Sequence, residues 1–235
     1  MKPELIVALD VPSAKDIPGI VGSLPAELGY YKVGLEIYTA EGPAALVYLK
    51  EHGKHVFLDL KLHDIPRTVA RAVTAAAQLG VSILTVHAGG GREMLKAAAQ
   101  AARDAGPRAP KLVAVTTLTS LAENDLRELG VTRSLQEHTL ALGELAIASG
   151  IDGLVCSPLE ARAFRDRLGP APILITPGIR PSGADMGDQK RIATPAMAVT
   201  AGATFLVVGR PILDAPDPAA AAWAVLKEMR SAAPA

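Results

Sequence analysis

Four ionisable side chains lie close together in the segment FLDLKLHDIP, residues 57–66: Asp59, Lys61, His63 and Asp64. The segment begins as an apolar run, which predicts a strand, and side chains alternate between the two faces of a strand. Asp59 and Lys61 would therefore share a face, with Cβ atoms roughly 7 Å apart, a distance that a flexible lysine can span. A strand that ends in such a pair is typical of a barrel strand that opens into a site. An isolated surface salt bridge, which contributes little, is the alternative.

The composition limits the classes of protein to consider. The chain has 235 residues, 49% of them hydrophobic, which suits one large domain or two small ones. Its formal net charge is zero, so no overall field attracts nucleic acid or an anionic membrane, and we expect neither as a partner. The lone Cys156 excludes an internal disulfide, and the apolar run at 5–9 is too short for a signal peptide or a membrane span. These features predict a cytoplasmic protein.

Short apolar segments alternate with longer segments rich in alanine and leucine along the chain. The apolar segments predict strands at 4–9, 30–35, 55–60, 82–87, 111–116, 151–156, 172–176 and 204–208. The longer ones predict helices at 14–23, 39–52, 66–79, 92–105, 135–149, 158–168, 190–201 and 217–231, with a short helix at 121–129. Eight strand–helix units in 235 residues predict an α/β fold, a (β/α)8 TIM barrel that forms a single domain over 1–235. A doubly wound open sheet is the alternative.

Chemically useful residues occur where the predicted strands end, which is the rim that carries the active site in such barrels. They are Asp10, Lys32, Asp59, Lys61, His87, Thr119, Ser120, Arg180, Gly209 and Arg210. Each has an ordinary structural explanation by itself: an aspartate can cap a helix, a lysine can extend to solvent and a histidine can be a hydrogen-bonded core residue. Their convergence on one rim favours a functional site.

The loops after the seventh and eighth strands have the composition of a phosphate-binding site. They carry Arg180 and the pair Gly209-Arg210, and these two loops commonly bind phosphate in TIM barrels. Glycine lets backbone N–H groups approach an anion, and arginine supplies a permanent charge with two donors. The long connection at 177–190, which includes Gln189, predicts a lid that closes on a bound phosphoester. An ordinary surface loop is the alternative.

Taken together, these motifs resemble those of the orotidine 5′-monophosphate decarboxylase family. The matching segments are Leu9-Asp10, Lys32-Val-Gly34, Asp59-Leu-Lys-Leu-His-Asp-Ile-Pro66, Val86-His-Ala88 with Gly90, Leu118-Thr-Ser120, Thr176-Pro-Gly-Ile-Arg180, Asp188-Gln189 and Val208-Gly-Arg-Pro211. They run through almost the whole chain in order. The Asp-x-Lys-x-x-Asp motif is shared with a wider set of phosphosugar barrels, whereas its combination with His-Asp-Ile-Pro and the Pro-Gly-Ile-Arg loop is strongly specific.

The resemblance implies a role for each matching residue. Asp10 would bind the ribose beside Lys32, and the alternating charge array would comprise Lys32, Asp59, Lys61 and Asp64. The pyrimidine contact would be Thr119 or Ser120, with Thr119 favoured. The residues that flank the pyrimidine and bind the phosphate would be Pro177, Arg180, Gln189, Gly209 and Arg210.

The resemblance also implies a homodimer. In the family the last aspartate of the array reaches the active site of the neighbouring subunit. Asp64, Ile65 and Thr68 would therefore serve the partner's site, and the two sites would lie at the subunit interface.

The implied reaction is the decarboxylation of orotidine 5′-monophosphate to uridine 5′-monophosphate and CO2, without a metal or any other cofactor. Lys61, between two carboxylates, would keep its proton and deliver it to C6 of the pyrimidine. One alternative is a metal-dependent phosphosugar decarboxylase or lyase of the same barrel type, in which an acid near the end of the second strand helps to bind Mg²⁺. This chain has Lys32 at that place and Glu36 four residues later. A non-catalytic barrel that binds a nucleotide phosphate is the other alternative.

Overall fold

A closed barrel of eight parallel strands forms the centre of the molecule, as predicted. The structure, a computed structural model, describes residues 2–181 and 193–232. The strands are β1 Glu4–Ala8, β2 Tyr30–Gly34, β3 His55–Leu62, β4 Ile83–His87, β5 Lys111–Val115, β6 Gly153–Val155, β7 Ile173–Thr176 and β8 Phe205–Val208. Each pairs in parallel with the next, and β8 pairs with β1. This closure rules out the doubly wound open sheet.

Helices cover the outside of the barrel. They are α1 Ile17–Ser23, α2 Leu35–Glu41, α3 Ala44–Glu51, α4 Pro66–Gln78, α5 Gly91–Asp104, α6 Glu123–Glu128, α7 Leu135–Ala148, α8 Pro158–Leu168, α9 Pro195–Thr200, α10 Arg210–Leu213 and α11 Pro218–Ala232. In the part of the chain that the structure describes, three 3₁₀ turns, at Ala14–Asp16, Ala88–Gly90 and Gly106–Arg108, join these elements. Within the described ranges, no helix has both the length and the hydrophobicity that a membrane-spanning segment requires.

The structure corrects three details of the predicted helices. The single helix expected at 39–52 is two helices, because Gly42 leaves α2 at φ 58° and is followed by Pro43. A left-handed glycine ends a helix, and proline commonly begins the next one. The four-residue α10 was not predicted. Of the helix expected at 190–201, the described part forms α9, which begins at Pro195.

Side chains that alternate between the two faces of the strands form two apolar regions, one inside the barrel and one between the strands and the helices. The barrel interior is filled by Ile6, Ala8, Phe57, Ile83, Val113, Ile175, Phe205 and Val207, whereas Leu58 packs in the outer region between strands and helices. Phe57 points inward and Leu58 outward, so the next inward position belongs to Asp59. The interior is therefore apolar below the rim and ionic at it.

At the opposite end of the barrel, one arginine is hydrogen-bonded to both of the segments that lead into β7 and β8. Arg165, on α8, donates hydrogen bonds to the carbonyl oxygens of Gly169, Pro170, Pro172 and Gly202, at 2.7–3.2 Å. Its remaining amino group donates to the Thr204 hydroxyl at 3.0 Å. Burial lowers the pKa of the Arg165 guanidinium, but its charge is retained because the ordinary pKa is so high.

We predict that Arg165→Ala lowers the free energy of unfolding by about 2–3 kcal/mol, since several carbonyl groups lose a charged donor at once. The matched control is Arg162→Ala on the same helix, where the side chain is exposed and pairs with Asp166 one turn away. The control is expected to cost less than about 0.5 kcal/mol. Urea denaturation followed by circular dichroism measures both. Equal stabilities for the two variants would contradict the structural role of Arg165.

Candidate active site

The ion pair predicted between Asp59 and Lys61 is present at the end of β3. The Lys61 ammonium donates to Asp59 Oδ2 at 2.9 Å, and the two side chains are 32% and 14% exposed. Lys61 has φ 50°, and among the described residues it is the one residue other than glycine with a positive φ. This conformation costs a lysine about 1–2 kcal/mol. Backbone strain of this kind is concentrated at functional sites, where surrounding contacts maintain it.

The strain at Lys61 arises from an irregular register between β3 and β4. Leu58 pairs with Leu84 and Leu62 pairs with Val86, so residues 59–61 lie opposite the single residue Thr85. The Thr85 hydroxyl donates to Asp59 Oδ1 at 3.1 Å and accepts from the Lys61 backbone N–H at 2.7 Å. Thr85 is completely buried. Sequence analysis did not single it out, and the available signal was a hydroxyl residue inside the otherwise apolar strand Ile83–Val86.

A second ion pair joins the first two strands. The ammonium of Lys32, on β2, donates to Oδ1 of Asp10 at 2.8 Å, and Asp10 lies just beyond the end of β1. Two glycines make room for this pair. A Cβ at Gly34 would lie 2.9 Å from the Lys32 ammonium, and a Cβ at Gly209 would lie 3.4 Å from Asp10 Oδ2. The end of β8 therefore closes against the end of β1, beside the Lys32–Asp10 pair.

Both lysines face one cavity of about 200 Å³ inside the rim. It is lined by Lys32, Phe57, Asp59, Lys61, Val115, Thr117, Leu118, Thr119, Val155, Pro177 and Val207. Of the two alternatives after β5, Thr119 is on the wall of the cavity, whereas Ser120 is exposed and is not among the lining residues. A small, mostly apolar chamber lined by two ammonium groups and the Asp59 carboxylate can hold a flat, anionic ring.

The predicted phosphate-binding residues have different surroundings. Pro177 lines the cavity. Arg180 is 9% exposed, and its Nη1 donates a hydrogen bond to the Ile179 carbonyl oxygen at 3.0 Å. Arg210 begins α10 directly after Gly209 and is exposed. Gln189 and most of the predicted lid lie outside the described residues.

The residues predicted to serve a neighbouring subunit lie on an exposed surface. Asp64, Ile65 and Thr68 follow β3 at the beginning of α4, and all three are exposed. Ile65 is a large apolar side chain with 66% of its surface accessible. The Asp64 carboxylate accepts from the Ile65 backbone N–H at 2.6 Å, which fixes the turn into α4.

His87, at the end of β4, is held by its own loop. Its Nδ1 accepts from the Gly89 backbone N–H at 3.1 Å, and its ring stacks on His63 with centroids 5.1 Å apart and planes 12° apart. Burial, and then the nearby His63 and Lys61, lower the pKa of His87. These contacts agree with the interpretation of His87 as a hydrogen-bonded structural residue.

Comparison with known proteins places this geometry in a family. A family model described as "Orotidine 5'-phosphate decarboxylase / HUMPS family" matches residues 3–225. The chain belongs to this family. A curated orotidine 5'-phosphate decarboxylase from Moorella thermoacetica is 50% identical over 233 residues, covering 97% of this chain and 92% of the relative. Another, from Halorhodospira halophila, is 51% identical and covers 98% and 97% of the two chains.

Solved structures of family members have the same fold. The orotidine 5'-phosphate decarboxylase from Lactobacillus acidophilus superposes with a TM-score of 0.86 at 39% identity, covering 97% of this chain and 99% of its own. The one from Pyrococcus horikoshii superposes with a TM-score of 0.76 at 26% identity, covering 96% and 99%. The resemblance inferred from the motifs is thereby confirmed.

The lowered pKa of His87 makes stability depend on pH. A histidine that stays neutral in the folded chain is protonated more readily after unfolding, so the folded state loses stability as pH falls through about 6.5, the unfolded value. We predict that His87→Asn, which keeps an acceptor for the Gly89 N–H, reduces this loss between pH 7 and pH 5.

Urea midpoints at several pH values measure the effect. His52→Asn is the control, because His52 lies at an exposed position after α3. If His87→Asn and the unmodified protein lost stability in parallel as the pH was lowered, the proposed neutral state of His87 would be wrong.

Proposed function

We propose that this protein catalyses the decarboxylation of orotidine 5′-monophosphate to uridine 5′-monophosphate and CO2, the last step of de novo pyrimidine nucleotide synthesis. The observation that carries the proposal is that Lys32, Asp59 and Lys61 line one small cavity, with Lys61 paired to Asp59 and Lys32 paired to Asp10. Family membership over residues 3–225 supports it, as do relatives of about half identity that are named for this activity.

The charges in the cavity match the chemistry of this reaction. The bond from C6 to the carboxylate carbon breaks, and its electron pair remains on C6 as a carbanion. The Lys61 ammonium, held beside Asp59, stabilises that charge and transfers a proton to C6. The protein positions the substrate and stabilises the developing charge at C6, and the proposed mechanism uses no cofactor.

Besides holding the Lys61 ammonium, Asp59 is proposed to destabilise the bound substrate. Its carboxylate would lie near the carboxylate of the substrate, and two such charges about 4 Å apart repel by about 4 kcal/mol at an effective dielectric of 20. Departure of CO2 relieves this repulsion. Asp59 is only 14% exposed, so solvent screens the repulsion less than it would on the surface.

We assign the remaining contacts from the resemblance to the family, together with the lining of the cavity. Thr119 and Pro177 on its walls contact the pyrimidine, and Asp10 with Lys32 binds the ribose. The family resemblance assigns the phosphate to Arg180, Gln189, Gly209 and Arg210, of which Gln189 lies outside the described residues. Because the phosphate is remote from C6, its binding energy can be used to close the site around the reacting group.

The metal-dependent alternative fits the geometry less well. It requires an acid where β2 ends, and that position holds the Lys32 ammonium, 2.8 Å from Asp10. Glu36, the other acid considered, is exposed on the first turn of α2. A cation at Lys32 repels a divalent metal ion, so we favour the decarboxylase reaction.

We also propose a homodimer whose two sites are completed across the interface, with Asp64, Ile65 and Thr68 contributed by the partner. The support is the exposed apolar Ile65 beside Asp64 at the beginning of α4. We further infer that residues 1–235 act as one catalytic domain and that the protein works in the cytoplasm, where the buried thiol of Cys156 would stay reduced.

The activity is tested by mixing the protein with orotidine 5′-monophosphate and following the ultraviolet absorbance of the pyrimidine. Turnover in the presence of a chelator is expected. We predict that Lys61→Ala lowers kcat by about 10³-fold or more, because the proton donor is lost. Lys96→Ala, on the surface of α5, is the matched control and should keep full activity.

Three results would refute these assignments. Near-normal turnover by Lys61→Ala would remove the proposed proton donor. Failure of the unmodified protein to form uridine 5′-monophosphate would favour the non-catalytic phosphate-binding barrel, and turnover that is lost with chelator would favour the metal-dependent enzyme.

The shared site predicts complementation between two inactive variants. Lys61→Ala and Asp64→Ala homodimers are each expected to be nearly inactive. After equal amounts are mixed and subunits exchange, half of the dimers contain one chain of each kind. One of the two sites in each mixed dimer then has both Lys61 and the partner's Asp64. About 25% of the unmodified activity should therefore return. No recovery, with subunit exchange verified by mass spectrometry, would show that Asp64 acts in its own chain or not at all.

A further inference from the structure

We propose that Thr85 is a positioning residue for the decarboxylation: its hydroxyl group holds the Asp59 carboxylate and the Lys61 backbone in one fixed arrangement. This inference rests on the proposed function of Lys61 as proton donor. It concerns a residue on β4, one strand away from the two ionic groups that it holds.

The register of the sheet shows why a side chain is needed at this place. Between Leu58 and Leu62, β3 has residues 59–61, whereas β4 has only Thr85 between the corresponding partners. In a regular parallel pair the backbone N–H groups donate to carbonyl groups of the neighbouring strand. Here the Lys61 N–H donates to the Thr85 hydroxyl at 2.7 Å. A side chain thus replaces the missing backbone partner.

The same hydroxyl also orients the carboxylate. A threonine hydroxyl has one hydrogen to donate and can still accept, and the Thr85 hydrogen goes to Asp59 Oδ1 at 3.1 Å. The other carboxylate oxygen, Oδ2, accepts from the Lys61 ammonium at 2.9 Å. Asp59, Thr85 and Lys61 therefore form a closed ring of contacts that fixes both ends of the lysine, its backbone and its ammonium group.

Thr85 acts through its neighbours and does not touch the substrate. It is completely buried and is absent from the lining of the cavity. Its loss would leave the Lys61 N–H without its acceptor and would free the Asp59 carboxylate to rotate. Because Lys61 is held at φ 50°, a conformation that lysine does not favour, its backbone would then relax and move the ammonium away from the reacting carbon.

Thr85→Val tests the proposal, because valine keeps the shape of threonine and removes the hydroxyl. We expect kcat to fall by about 10- to 100-fold, the usual consequence of a misplacement of about 1 Å. KM should change by less than about threefold, since the hydrogen bonds of this hydroxyl go to Asp59 and the Lys61 backbone and not to Asp10 or Lys32. Thr85→Ser restores the hydroxyl and should recover kcat to within about threefold of the unmodified protein.

Thr116→Val is the matched control. Thr116 is also a buried threonine at the end of a barrel strand, and its hydroxyl donates to the Val155 carbonyl oxygen at 3.1 Å. A general loss of packing or stability would affect both valine variants alike. The proposal predicts a kcat within about twofold of normal for Thr116→Val and a selective loss for Thr85→Val. Thermal unfolding of all variants shows whether they are folded at the assay temperature.

The outcomes separate this inference from the proposed function. Normal kcat in folded Thr85→Val, while Lys61→Ala is inactive, would overturn the role of Thr85 and leave the role of Lys61 intact. Loss of activity in Thr85→Ser equal to that in Thr85→Val would also overturn it, because the hydroxyl would then not be the group that matters. If Thr85→Val does not fold, Thr85→Cys replaces it, with a weaker donor and acceptor; an unchanged kcat in that variant would refute the proposal.

Discussion

The site depends on a carboxylate that is fixed next to a lysine at the mouth of a barrel with an apolar interior. The Lys61 ammonium and the Asp59 carboxylate are adjacent, and both are mostly removed from solvent. Such a pair is costly to bury unless its remaining hydrogen bonds are satisfied. Here the Thr85 hydroxyl satisfies the second carboxylate oxygen and the strained lysine backbone together. The proposed chemistry needs this arrangement before substrate arrives, because preorganised charges do not have to reorient during the reaction.

The barrel fixes the charged side chains at its rim, above an interior of packed apolar side chains. Inward side chains below the rim, such as Phe57 and Val207, are apolar and close-packed, so charges at the rim interact across a low dielectric. The closed sheet brings the end of β8 against the end of β1, which places Gly209 beside Asp10. The two ion pairs are thus supplied by three strands, and each strand is held by its neighbours on both sides. A rigid scaffold with charged groups at its rim is well suited to the proposed reaction, in which fixed charges stabilise a carbanion that a lysine then protonates.

Most of the fold and the identity of the charged residues could be predicted from sequence. Alternating apolar and helical segments indicated eight units, and Asp59, Lys61, Lys32 and Asp10 formed the expected pairs. The bulge in β3 could not be predicted, since nothing in the local sequence shows that three residues face one on the next strand. Thr85 was missed for the same reason: its role depends on register. The break of the predicted helix at 39–52 was readable from Gly42-Pro43.

The most direct test of the account is a crystal structure of the protein with uridine 5′-monophosphate bound. The account predicts that the Lys61 ammonium lies within about 3.5 Å of C6, the distance of a group ready to transfer a proton. It also predicts that Asp59 and Thr85 keep their present contacts and that Asp64 of the partner subunit lies beside Lys61. A pyrimidine bound with C6 directed away from Lys61, or an Asp64 remote from both sites, would contradict the central claim.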